Sequence, residues 1–247
     1  MSQDFFSKQA DKYARFRPHY PTGLYEYLFN LCRRHNCAWD AATGNGQVAS
    51  ALAGGFKRVL ASDISENQLK HAIKKANIDY FISSSESTNI KSNSVDLITV
   101  AQAAHWFDMR AFTAECRRVL KSNGIVAIWM YHLFRLNPKI DAFIDTFYAE
   151  TLGAYWPDGR QHIDNWYKDI NMDFDKIVSP SFSMTTNWSF EDMMGMLSSW
   201  SAVVRYTEQH GQNPLDLIEC DLKVAWGAME SREVLWPLVL KVYRFSK

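Results

Sequence analysis

The chain has 247 residues, 47% of them hydrophobic, which is enough for one sizeable core and short of a comfortable two-domain length. Lys and Arg (27) balance Asp and Glu (27), so no net field would draw the protein to nucleic acid or to an anionic membrane, and a small, locally recognised ligand fits better. The start lacks an apolar run behind a basic head, no stretch approaches the roughly 20 apolar residues that span a bilayer, and the 4 cysteines form no metal-type framework, so a cytosolic protein with reduced thiols is expected.

In chain order, residues 2–17 read as an amphipathic helix with Phe5, Phe6, Tyr13 and Phe16 on or near one face. Arg17-Pro18-His19-Tyr20-Pro21 breaks it, because each proline fixes φ and disfavours helix in the residue before it. A second helix is predicted over 22–36, with Leu24, Leu28 and Leu31 turned inward.

Residues 38–63 then read as strand, glycine turn, helix and a second strand ending in Asp63. Gly44 and Gly46 leave two turn positions without side chains, so a ligand can lie against bare backbone at a helix N-terminus. Asp63 follows at about the 20-residue spacing where nucleoside-binding folds place a carboxylate for the ribose hydroxyls. On glycines alone, Gly44-x-Gly46-x-x-Ala49 leaves a dinucleotide site open. Asp40 argues against one: a carboxylate at the mouth of the turn repels a pyrophosphate and attracts a ligand carrying an amine and a sulfonium, as S-adenosylmethionine does.

Beyond the turn, Ser65 to Gln68 has the spacing of a capping box and starts a helix expected to reach about residue 77. A third strand is predicted over 79–84, then a polar loop holding Ser85 and Glu86. Residues 95–100 form a near-continuous apolar strand, as one covered on both faces should, leading into Ala101-Gln102-Ala103-Ala104-His105-Trp106-Phe107. Open α/β sheets bind ligands beyond the carboxyl ends of their strands, which puts this loop beside the cofactor. Asp108 caps the next helix, 125–130 forms a fifth strand, and residues 131–176 read as an aromatic-rich helical cap insertion. A long helix from Ser189 to Gly211, another opened by Pro214, and a terminal strand over 234–245 complete the pattern, whose strand–helix alternation predicts a doubly wound α/β sheet.

Asp40-Ala-Ala-Thr-Gly44-Asn-Gly46 resembles motif I of class I S-adenosylmethionine-dependent methyltransferases, with Ala42 standing where that motif commonly has a glycine. Tyr13-x-x-x-Arg17-Pro18-x-Tyr20-Pro21 and VDLITVAQAAHWF resemble the subgroup that includes trans-aconitate methyltransferase-like proteins. The resemblance implies a single Rossmann-like domain over residues 1–247, its seven-stranded, mostly parallel sheet ending in an antiparallel strand, with residues 1–21 as an N-terminal lid. It implies S-adenosylmethionine held by Tyr13, Arg17, Asp40, Ala42, Thr43, Gly44, Gly46, Asp63, Ile64, Ser85, Glu86, Ala101 and Gln102. Glu86 matches the acid near the adenine amino group, and His105 and Trp106 would face a small-molecule methyl acceptor, such as a carboxylate. No catalytic base and no metal ligand is assigned. The other readings are a nicotinamide oxidoreductase, against which Asp40 speaks, and a silent nucleoside-binding module, against which the aromatic cap speaks.

Overall fold

Asp96 shows how the sheet is pinned at its amino edge. Although it sits in an apolar strand and is only 6% exposed, its carboxylate accepts the Asn36 and Cys37 amides, each at 3.0 Å, and the Lys121 ammonium at 2.8 Å. Three strands are thereby aligned by one buried anion whose partners offset its desolvation. The computed structural model describes residues 19–246, so the lid expected over 1–21, with Tyr13 and Arg17, lies almost wholly outside the described residues.

The described elements run α1 (Thr22–Leu31), β1 (Cys37–Ala41), α2 (Gln47–Leu52), β2 (Arg58–Asp63), α3 (Glu66–Lys70), β3 (Ile78–Ile82), β4 (Val95–Ala101), α4 (Met109–Val119) and β5 (Leu120–Tyr131). There follow α5 (Pro138–Thr146), α6 (Arg160–Asp164), β6 (Asp175–Ile177), β7 (Phe182–Trp188), α7 (Phe190–Ser198), α8 (Ser201–His210), α9 (Glu219–Trp226) and β8 (Arg232–Arg244). The sheet has the order β3-β2-β1-β4-β5-β8-β6, with β7 also paired to β8. Strands β1 to β5 pair in parallel, and β8 runs antiparallel to β5. That is the doubly wound, mostly parallel α/β sheet anticipated, with eight strands among the described residues rather than seven. Two strands, β6 and β7, were not placed from the sequence: one has three residues and the other is polar-rich, and neither carries an apolar alternation strong enough to read.

Several boundaries differ from the sequence expectation. The helix predicted over 22–36 stops at Leu31, where Cys32 turns extended. The helix after Ser65 ends at Lys70 instead of near 77, and Asn77 instead ties the following turn to the Ala53 and Phe56 carbonyls. The long helix from Ser189 is two helices, because Trp200 adopts an extended ψ of 132° between them.

By contact density the chain forms two compact units. One contains residues 20–132, 161–182 and 238–246, and its core packs Trp39, Ile98, Val126, Ile128 and Met130 against Phe112 and Cys116. Burial raises the thiols of Cys37, Cys116 and Cys32, the last to about 12, and no cysteine among the described residues is in a disulfide. The other unit contains residues 133–160 and 183–237. Its centre is aromatic: the Phe134 ring lies 5.0 Å from that of Trp188 and 5.8 Å from that of Trp236, and the Arg160 guanidinium stacks 4.4 Å from the Trp156 ring centre. Of the stretch 131–176, therefore, 133–160 groups with the helical unit and 161–176 with the sheet. No helix among the described residues is long and apolar enough to cross a membrane.

Candidate cofactor and acceptor site

The site begins where β1 ends. Register places Asp40 beside Thr99 of β4, and the two Asp40 oxygens accept the Thr43 hydroxyl at 2.5 Å and the Thr99 hydroxyl at 2.7 Å. Sequence reasoning put this acid at the mouth of the turn; at 1% exposure it lies beneath the turn and supports it. Burial pushes its pKa up to about 6, against the downward pull of the Thr43 and Thr99 hydrogen bonds. A threonine inside the run Val95–Ala101 was the legible trace of this partner.

The turn itself is left-handed at three places: Ala42 (φ 53°), Gly44 (φ 56°) and Gly46 (φ 79°). A Cβ at Gly46 would collide with the Tyr80 hydroxyl, which donates to the Ile73 carbonyl, whereas one at Gly44 would meet nothing nearer than 3.9 Å. Thr43, 9% exposed, donates its amide to the Ser62 carbonyl at 2.9 Å and accepts the Gly46 amide at 3.0 Å. Asp63 closes the other side: one of its oxygens accepts the Gly44 amide at 2.8 Å and the other the Ser65 amide at 2.9 Å.

Ile64, next to Asp63, is 67% exposed, an apolar surface at the carboxyl edge of β2 of the kind that a planar base covers. Ile82 of β3, the register partner of Asp63, is 59% exposed and was not singled out from sequence. Ser85 is buried, and the Glu86 carboxylate accepts the Ser84 hydroxyl and, at 3.2 Å, the Asp108 amide, which ties the loop after β3 to the start of α4. The turn, the acid after β2 and the exposed isoleucine fit the amino-acid, ribose and adenine portions of S-adenosylmethionine.

At the end of β4, Ala101 pairs with Trp129, and the Gln102 side-chain amide clamps the backbone of Tyr131, donating to its carbonyl at 2.9 Å. Gln102 is itself left-handed (φ 54°), which swings the chain out of the sheet into the loop that carries His105 and Trp106. Trp106 is 49% exposed, unusual for so large an apolar ring, and the His105 ring lies 4.8 Å from it. His105 Nδ1 is 2.6 Å from the Tyr167 hydroxyl, a partner 62 residues on that no local pattern announces. Nearby in sequence, Asp164 meets His132 Nε2 at 2.9 Å, and the His132 and Trp166 rings lie 5.3 Å apart.

A glycine-turned βαβ unit with an acid after β2, in a parallel sheet closed by an antiparallel strand, defines a class I methyltransferase fold. Residues 39–128 match the methyltransferase-domain family, and a Dictyostelium discoideum protein named as a methyltransferase is 34% identical over 97% of this chain and 93% of its own length. A Saccharomyces cerevisiae protein named as an S-adenosylmethionine-dependent methyltransferase is 26% identical over 97% of this chain and 77% of its own. A solved Anaeromyxobacter dehalogenans structure named as a type II methyltransferase superposes with a TM-score of 0.87 at 33% identity, covering 94% of this chain and 99% of that one. The chain belongs to the class I S-adenosylmethionine-dependent methyltransferase family, its cofactor is S-adenosylmethionine, and the nicotinamide reading is set aside.

Proposed function

We propose that the protein methylates a small molecule, and that the acceptor atom is a carboxylate oxygen. The observation that carries this is the loop leaving β4: an imidazole and a half-exposed indole stand side by side at the carboxyl edge of the sheet, the edge where open α/β sheets bind their ligands. Indole and imidazole N–H groups can hold an anionic oxygen while their rings exclude water. When bound, S-adenosylmethionine supplies an activated methyl, whose bond to sulfur breaks, with its electron pair going to sulfur, as the acceptor oxygen forms the new bond. A carboxylate needs no base for that step; alignment and desolvation are what the protein supplies. The likeness of the Tyr13 to Pro21 and AQAAHWF segments to the trans-aconitate methyltransferase-like subgroup supports an acidic acceptor. The balanced net charge of the chain, neither basic nor acidic, supports a small molecule over nucleic acid, and a cytoplasmic location is proposed with it.

The test is transfer of labelled methyl from S-adenosylmethionine to a panel of small acids, alcohols and amines, run with wild type and with His105→Ala. Methyl esters are expected, with the variant losing turnover by at least about tenfold while its cofactor affinity stays within about twofold. Transfer only to amines or alcohols would overturn the acceptor class, and a parallel fall in cofactor affinity would move His105 out of the acceptor site.

A further inference from the structure

Tyr167 is fully buried, and the chain reaches it through an uncommon backbone: Trp166 and Tyr167 are both left-handed, with φ of 56° and 53°. Two adjacent aromatic residues in that region are strained, and such strain persists only where the surroundings over-determine it. Here they do. The Trp166 amide donates to the Ile163 carbonyl and the Tyr167 amide to the His162 carbonyl, both at 2.8 Å, and the Ile170 amide donates back to Tyr167 at 3.1 Å. Lys241, buried in β8, donates to the Ile170 carbonyl at 2.6 Å and to Asn171 Oδ1 at 3.2 Å. The outcome of this tied turn is a phenol oxygen 2.6 Å from His105 Nδ1.

The chemistry of that contact has a direction. A phenol O–H is a stronger donor than a neutral imidazole N–H, and a bare imidazole nitrogen is a stronger acceptor than a phenol oxygen. The proton between them therefore belongs to Tyr167, and Nδ1 is the bare nitrogen. We propose that Tyr167 is a positioning residue that holds His105 in its Nε2–H form, so that His105 meets the methyl acceptor as a hydrogen-bond donor and not as a base. This rests on the acceptor-side reading of His105 and deepens it. A donor favours an acceptor that arrives with its lone pair free, as a carboxylate does, and gives no help to a hydroxyl that must first lose a proton.

The test is nitrogen NMR of the full chain labelled at histidine, with the His105 signals identified by their loss in His105→Gln. Above the ring's protonation midpoint, wild type should show Nδ1 bare and Nε2 protonated. Free imidazole also leans toward that form, so the deciding readout is Tyr167→Phe, which keeps the buried ring and removes only the donor. With the donor gone, the neutral ring should move from almost wholly Nε2–H toward the mixture that free imidazole shows, with a measurable Nδ1–H fraction. A proton found on Nδ1 in wild type, or a tautomer ratio unchanged in Tyr167→Phe, would overturn the proposal. The tautomer measurement needs no acceptor to be known, so a wrong tautomer and a His105 irrelevant to turnover show up in separate experiments.

Discussion

Asp63 and Gly44, 19 residues apart, are one device: a carboxylate oxygen of the first accepts the backbone amide of the second at 2.8 Å, while its other oxygen takes the Ser65 amide. The acid that ends β2 thus holds the glycine turn in shape, and the remaining lone pairs of a carboxylate could accept ribose hydroxyls as well. Its substitution is expected to register in both stability and binding.

Asp63→Asn turns one acceptor oxygen into an NH2 group that faces a backbone N–H, losing charge-assisted bonds worth about 1.5–3 kcal/mol. Calorimetry is expected to show S-adenosylmethionine affinity down by roughly 10–100-fold, with a lowered melting temperature. Unchanged affinity beside a lowered melting temperature would make Asp63 a turn brace alone.

Ala42 and Gly46 should respond with opposite signs. At φ 53° an alanine is strained, so Ala42→Gly should stabilise the protein by about 0.5–1 kcal/mol, a rise of roughly 1–4 °C in melting temperature for a chain of this size. Gly46→Ala adds a Cβ both at positive φ and against Tyr80, and should destabilise by at least about 2 kcal/mol and abolish the cofactor-dependent melting shift. A neutral Gly46→Ala would mean that the turn relaxes freely.

Asp40 predicts a pH dependence. Its folded pKa stands at about 6 against an ordinary 3.8, so burial favours the neutral acid. The penalty is absent below about pH 4, grows as pH rises to about 6 and is complete above that, at roughly 3 kcal/mol for a shift of that size. Asp40→Asn, with one amide atom accepting and the other donating to the Thr43 and Thr99 hydroxyls, should therefore be more stable than wild type at pH 7.5, with the gap closing near pH 4. Chemical denaturation across that range checks it, and a gap independent of pH would show that the carboxylate is not destabilised by burial. The stabilised variant is expected to bind the cationic cofactor more weakly.

Asp96→Asn tests the opposite edge of the sheet. It leaves Lys121 without its carboxylate, and the Asn36 and Cys37 amides with a weaker acceptor, so a loss of about 2–4 kcal/mol is expected in urea unfolding. Cofactor affinity measured well below the unfolding midpoint should not move, since the clamp sits at the amino ends of the strands.

What could be read in advance was what local chemistry encodes. Gly44 and Gly46 announced a turn, and the apolar run of β4 announced a strand covered on both faces. Helix ends were less legible, since nothing in Cys32 or in residues 71–77 marks a stop, and the extended ψ of Trp200 comes from tertiary packing and not from proline or glycine. Asp40 was legible as an acid but not as a buried one, because burial depends on Thr99 lying beside it in another strand. Tyr167 was invisible: a tyrosine at positive φ has no local signature, and its partner is 62 residues away.

A sulfonium methyl donor alkylates soft nucleophiles, and thiolates are the softest that a protein owns. In the unit that carries the glycine turn, Cys32, Cys37 and Cys116 all have thiols raised by burial, Cys32 to about 12, so at neutral pH they stay protonated and inert. The hydrophobic packing that builds the sheet thereby keeps these three sulfurs in their unreactive form, and leaves the exposed Cys220, on α9, as the thiol that an alkylating reagent should reach first.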